Sequence, residues 1–152
     1  MKKLTFFLSI FILFMFTACS TPEFSNPFGK KVKKEYFTGG KLRSEFIMDD
    51  STRQTGLLKQ YGYDGKLTST TRMKNGVKHG VEIFYDSRGR VLRKTPFNRN
   101  RRHGIVKVFY PNGDSLAEIS YVNGMKHGKA VKYYKSGKIQ KQVMFKNGRQ
   151  LN

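Results

Sequence analysis

The chain has 152 residues, with 30 lysines and arginines against 10 acidic residues and a formal charge of +20. That length holds one domain, and the charge points to an anionic partner while leaving the fold open. A single cysteine excludes an internal disulfide.

At the N-terminus, Lys2 and Lys3 precede an apolar run from Leu4 to Phe16, broken only by Thr5 and Ser9, and Thr17, Ala18 and Cys19 close it. A basic, then apolar, then small-residue segment is the layout of a secretory signal, here residues 1–18. The apolar run is too short for a bilayer span, which needs ~20 residues. Phe16-Thr17-Ala18-Cys19-Ser20 resembles the lipobox of bacterial lipoproteins, with Phe16 departing from the aliphatic residue usual at the first position. The resemblance implies that Cys19 is acylated and becomes residue one, and two or three acyl chains anchor a protein stably where one is marginal. Ordinary signal peptidase cleavage at Ala18-Cys19-Ser20 would instead discard the cysteine. Ser20 after the cysteine, rather than Asp, implies an exported protein sorted to the outer membrane, facing periplasm or surface.

Residues 19–34 hold two prolines, one glycine and the cluster Lys30, Lys31, Lys33 and Lys34, with no alternation long enough for a strand. They are expected to form a flexible basic tether. Near an anionic leaflet each lysine would contribute about 1 kcal/mol; a merely solvated linker reads the same way.

From residue 35 to 152 the chain repeats every 24 residues, as the whole unit Val81 to Gly104 shows. Gly56, Gly80, Gly104 and Gly128 form one column on that step, and Gly65, Gly89, Gly113 and Gly137 a second. Tyr61, Tyr85, Phe109 and Tyr133 form an aromatic column, Met73, Phe97, Tyr121 and Phe145 another, and His79, His103 and His127 share one position. A degenerate first copy starts near Tyr36 and carries one extra residue, expected as a bulge near Asp49, Asp50 and Ser51. The last of the five copies is truncated.

Within a copy, alternating runs such as Ile105 to Tyr110 and Leu116 to Val122 flank a Gly-containing turn, so each copy is a hairpin. Tyr110-Pro111-Asn112-Gly113 fits a type I turn closed by a G1 bulge, and Asn75-Gly76, Asn123-Gly124 and Asn147-Gly148 are strong hairpin turns, with Arg99-Asn100 a degraded copy. One hairpin cannot bury its apolar face, so copies are expected to stack edge to edge and to share the aromatic columns as a common ribbon of core. The expected fold is all-β, about ten strands at ~4.8 Å in an elongated, twisted antiparallel sheet.

Tyr-x-x-x-Gly-Lys/Arg-Leu/Val at Tyr61 to Leu67 and Tyr85 to Val91, followed by Asn-Gly-x-Lys-His-Gly at Asn75 to Gly80 and Asn123 to Gly128, resembles the bacterial variant of the MORN repeat. MORN-type repeats occur in membrane-associated scaffolds, as modules appended to enzymes, and in bacterial proteins labelled as antitoxins. The resemblance therefore implies stacked hairpins and leaves the role open.

No constellation carries catalysis. The three histidines lie two strands apart, ~10 Å, against ~2.0 Å from ligand to zinc, so they read as turn-stabilising, with no metal and no cofactor expected. Asp64, Asp86 and Asp114 sit at turns and Glu82 and Glu118 in strands, with no motif pairing them. Tyrosines and phenylalanines among cations could stack bases, but export takes the chain away from nucleic acid, and the aromatics read as core. The candidate binding stripe is cationic: Lys78, Arg102 and Lys126 recur on the repeat step, with Arg99 and Arg101 crowding one connection, while Gly80, Gly104 and Gly128 flank it as structural positions.

Two functions fit. One is a non-enzymatic, membrane-anchored lipoprotein whose repeats bind an anionic envelope polymer, a lipid headgroup or an acidic protein; the other is an immunity protein that neutralises a toxin by direct binding. In either case labelled palmitate is expected to enter the wild-type chain and not Cys19→Ala, and equal labelling of both would remove the lipid anchor.

Overall fold

The structure, a computed structural model, describes residues 29–151. The signal segment, Cys19 and the first part of the tether lie outside the described residues. What is described is all β: β1 (Val32–Tyr36), β2 (Leu42–Met48), β3 (Gly56–Tyr61), β4 (Leu67–Lys74), β5 (Val77–Tyr85), β6 (Val91–Asn98), β7 (Arg101–Arg102), β8 (Gly104–Phe109), β9 (Ser115–Val122), β10 (Met125–Tyr133), β11 (Ile139–Lys146) and β12 (Arg149–Leu151). Each strand pairs antiparallel with its neighbour in sequence, and β7 pairs β6 beside β8. The two strands beyond the expected ten are β7, separated from β8 at His103, and β12, which opens after the last Asn–Gly turn.

Two kinds of turn alternate along the sheet. Phe37, Gly62, Asp86, Tyr110 and Tyr134 each donate a backbone hydrogen bond to the residue four further on, at 2.8 to 2.9 Å. In these turns Gly40, Gly65, Gly89, Gly113 and Gly137 have positive φ, and a register shift follows at Tyr36, Tyr61, Tyr85, Phe109 and Tyr133. This is the type I turn with its bulge that the sequence predicts. At the opposite edge Asn75, Asn123 and Asn147 adopt positive φ before a positive-φ glycine, and Arg99 and Asn100 do the same at φ 48 and 65.

The Lys-His-Gly segments make a second series of bulges. On β5, residues 79–81 face Arg72 alone, and on β10, residues 127–129 face Ser120. Gly80, Gly104 and Gly128 have φ of 96, 109 and 94, and a Cβ there would come within 3.1 to 3.3 Å of Arg72, Pro96 or Ser120. Positive φ and close approach together account for that glycine column.

Three expectations change. Lys33 and Lys34 belong to β1 rather than to the tether, because Val32 to Glu35 pair with Ile47 to Ser44. The alternation is hidden there since both lysines sit in strand positions beside carboxylates, Lys33 3.2 Å from Glu35 and Lys34 3.7 Å from Glu45. The extra residue of the first copy enters a connection, residues 49–55, and not a bulge. Met48 still pairs with Gly56, Asp49 N donates to Thr55 O at 2.9 Å, and Asp50 accepts from the Thr52 amide and hydroxyl. Finally, the two aromatic columns do not share a core. Phe97 and Lys94 are three apart on β6 and point to opposite faces, and the Phe109 ring lies against Lys94 while Phe97 lies against Lys78.

A single sheet thus has one covered face and one open face. Ser44, Met48, Ser69, Thr71, Glu82, Thr95, Val106 and Tyr121 are buried and share the first by strand alternation and register; of the buried set only Val131 lies on the second. Val81, Ile105, Val122, Met125, Met144 and Leu151 are exposed on the open face. Tyr121 is 7% exposed and Tyr36 57%. Tyr121→Ala is expected to cost about 3 kcal/mol in urea unfolding, against less than about 1 kcal/mol for Tyr36→Ala; equal costs would mean that the covered face is not the source of stability.

Candidate functional site

Lys78, Arg102 and Lys126 are each the second residue of the strand that follows a turn at the Asn–Gly edge, and the backbone of each is used before its side chain is. Asn100 N donates to Lys78 O at 3.0 Å, Gly124 N to Arg102 O at 2.8 Å and Gly148 N to Lys126 O at 2.8 Å, with Gly76 N to Gln54 O at 2.9 Å completing the series. Every turn of this edge is therefore bonded to the copy before it.

The side chains then lie over the aromatic residue nineteen positions further on. Lys78 Nζ is 5.1 Å from the Phe97 ring centroid, the Arg102 guanidinium carbon 4.4 Å from that of Tyr121, and Lys126 Nζ 4.9 Å from that of Phe145. The aromatic residue faces a bulge glycine on one side and a stripe cation on the other: Phe97 pairs with Gly80 and Arg102, Tyr121 with Gly104 and Lys126. Each ring is capped by the cation of the copy before it, Phe97 by Lys78 and Tyr121 by Arg102. Such contacts are worth ~0.5–1 kcal/mol at exposed sites.

Their electrostatics differ. Lys78 Nζ stands 2.5 Å from Glu82 Oε1, and Glu82 is buried, with Thr71 Oγ1 donating to the same oxygen at 3.2 Å. Arg102 donates to the Tyr121 hydroxyl at 3.1 Å, and Lys126 has the Phe145 ring, so neither charge is neutralised by a carboxylate.

The stripe unites Lys78, Arg102 and Lys126 on the covered face in neighbouring copies, ~10 Å apart. Arg99 and Arg101 do not join it. Arg99 occupies the turn itself, and Arg101, opposite Asn98, points to the open face, where both line a shallow cavity of about 440 Å³ with Asn98 and Asn123. The first aromatic column is structural on the open face: Tyr61 donates to Glu45 Oε2 at 2.9 Å, Tyr85 Oη lies 3.4 Å from Thr70 Oγ1, and Lys94 sits over Phe109. Burial, helped by the Glu45 hydrogen bond, pushes the Tyr61 hydroxyl from 10.0 up to about 12. Two of the histidines lie against turns: His103 Nδ1 accepts from Asn123 N at 3.5 Å, and His127 Nδ1 lies 3.2 Å from Asn147 Oδ1. Among the described residues no three of His, Cys, Asp and Glu come together as metal ligands. The stacking of cation on ring escaped the sequence reading, although the fixed offset of nineteen between the two columns carried it.

Residues 102–123 and 126–147 each match the MORN repeat variant family. No curated protein matches the chain. Among solved structures, a crystal structure of an S. aureus TarM mutant in complex with fondaparinux, α-GlcNAc-glycerol and UDP is similar over 78% of this chain, at 13% identity and a TM-score of 0.41. The chain spans 20% of that protein, and a likeness of this size bears on neither fold nor function.

Because Lys78 alone in the stripe neutralises a buried carboxylate, Lys78→Met is expected to destabilise the domain by ~1–3 kcal/mol more than Lys126→Met. Adding Glu82→Gln should recover most of that difference in thermal melts; no recovery would mean that Lys78 acts through Phe97 alone.

Proposed function

We propose that the chain is a non-catalytic binding or scaffold protein that presents a row of cations to an extended anionic partner and is held at a bacterial envelope through acylated Cys19. The repeat match supports a repeat-based binding role. One observation carries the anionic partner: Arg102 and Lys126 are ordered by aromatic rings, and a ring fixes a cation without neutralising it. Both side chains are exposed at the Asn–Gly edge, so their charge remains directed at solvent. A spacing of ~10 Å equals the Debye length at 0.1 M salt, ~10 Å, and successive copies act jointly on a polyanion that runs along the edge.

The mature chain carrying Cys19→Ala, and so without acyl chains, is expected to bind phosphatidylglycerol vesicles and not phosphatidylcholine vesicles, with affinity falling linearly in log salt. Arg102→Met with Lys126→Met keeps an apolar stem over each ring and should weaken binding at least ~5-fold more than Lys66→Gln with Lys74→Gln, in line with about 1 kcal/mol for each cation near an anionic surface. Equal effects of the two pairs would reduce the stripe to net charge, and failure of the parent chain to bind would remove the anionic partner.

A further inference from the structure

The repeats supply an internal comparison at one cross-strand position of the covered face. In the first copy Ser44 faces Glu35 and donates to it at 3.2 Å; in the second, Ser69 faces Gln60 and donates to it at 2.9 Å. In the third, Arg93 faces Phe84, its guanidinium 4.4 Å from the ring centroid, and in the fourth Ala117 faces Val108. Each pair is hydrogen-bonded, stacked or apolar. In the fifth copy the same position holds Lys132 directly opposite Lys141. Like charges placed so are destabilising, and β9 offers only Ala117 on the other side of Lys132.

The surroundings add charge instead of compensating it. The sequence has no acidic residue after Glu118, yet eight lysines and arginines follow it. Glu118 itself is taken by Lys107 at 3.1 Å, and no described residue beyond it enters an ion pair. The three preceding Gly turns contain Asp64, Asp86 and Asp114, with Asp86 3.0 Å or less from the Arg88 and Arg90 amides. The turn that joins β10 to β11 has Lys135 and Lys138 in place of an aspartate, at the end of the hairpin nearest Lys132 and Lys141.

We propose that Lys132 and Lys141, with Lys135 and Lys138 at the adjacent turn, form a binding site for a phosphoryl group. An oxyanion with two or more charges and several acceptor oxygens bridges two ammonium groups that otherwise repel. The site rests on the reading of an anionic partner and deepens it by naming the group held and the place that holds it, apart from the stripe. A stripe of cations needs an extended polyanion; a cross-strand lysine pair suits a compact one.

Tripolyphosphate is the probe, titrated calorimetrically into the mature chain with Cys19→Ala at low salt. Lys132→Val with Lys141→Ala installs the pair that the fourth copy already tolerates, and Lys132→Gln with Lys141→Ser installs that of the second copy, so a folding failure of one does not end the test. Both are expected to lower affinity ~10-fold or more and to abolish the rise in melting temperature that the probe gives the parent. Arg102→Met with Lys126→Met should leave tripolyphosphate affinity within about twofold, well under the tenfold that 1.4 kcal/mol represents. Phosphatidic acid vesicles form the second arm, in which loss of binding with the same variants assigns the phosphoryl group to a lipid headgroup, while loss with tripolyphosphate only assigns it to a soluble phosphate. No binding of either probe by the parent, or equal losses in the lysine-pair and stripe variants, overturns the site. Unchanged binding of both probes by the lysine-pair variants, with vesicle binding lost in the stripe variant, overturns the site while leaving the broader function standing.

Discussion

The hydrogen bond from each turn of the Asn–Gly edge to a carbonyl of the preceding copy is the constraint on which the sheet depends. It ties Gly76, Asn100, Gly124 and Gly148 to Gln54, Lys78, Arg102 and Lys126 in an unbroken series. A two-residue turn holds its own hairpin, but a single-layer sheet has no second layer to hold its hairpins at a common height. The turn amide does so, and it places each stripe residue where its side chain crosses the next aromatic ring. Bulge glycine, ring and cation follow from one backbone contact repeated every 24 residues.

The repeat made most of this legible in advance. Two glycine columns in step locate both kinds of turn, and a turn type determines strand register, so the order and direction of the strands needed no tertiary information. What was not legible depends on neighbours. Lys33 and Lys34 look like a solvated run until Glu35 and Glu45 are placed beside them. The extra residue near Asp49 could enter a strand or a connection, and the pairing of Met48 with Gly56 decides for the connection. The faces were misassigned because an aromatic column signals burial without its direction, and the bulges at both edges shift the alternation that direction depends on.

Within the candidate site, the columns of Lys78, Arg102 and Lys126 were visible and their partners were not. A column of cations flanked by glycines reads as a charged edge; only register shows that the ring beneath each cation belongs to the next copy. Departure from the repeat proved as informative as the repeat. Gln54 stands where the next three members of its column are Lys78, Arg102 and Lys126, and Met73 where the next three of its own are rings, and there the covered face opens into a groove of about 340 Å³ lined by Phe46, Leu58 and Met73.

Among the described residues each copy meets only the copies on either side, through a ladder of strands, a turn amide and a cation over a ring, so no strand pairing or turn bond joins distant ends of the sheet. Length is then a free parameter. Duplicating or deleting one 24-residue unit would lengthen or shorten the sheet by two strands, ~10 Å, and leave every remaining interface chemically unchanged. In that sense the domain is a ruler, and the number of its copies sets the distance between its two edge strands.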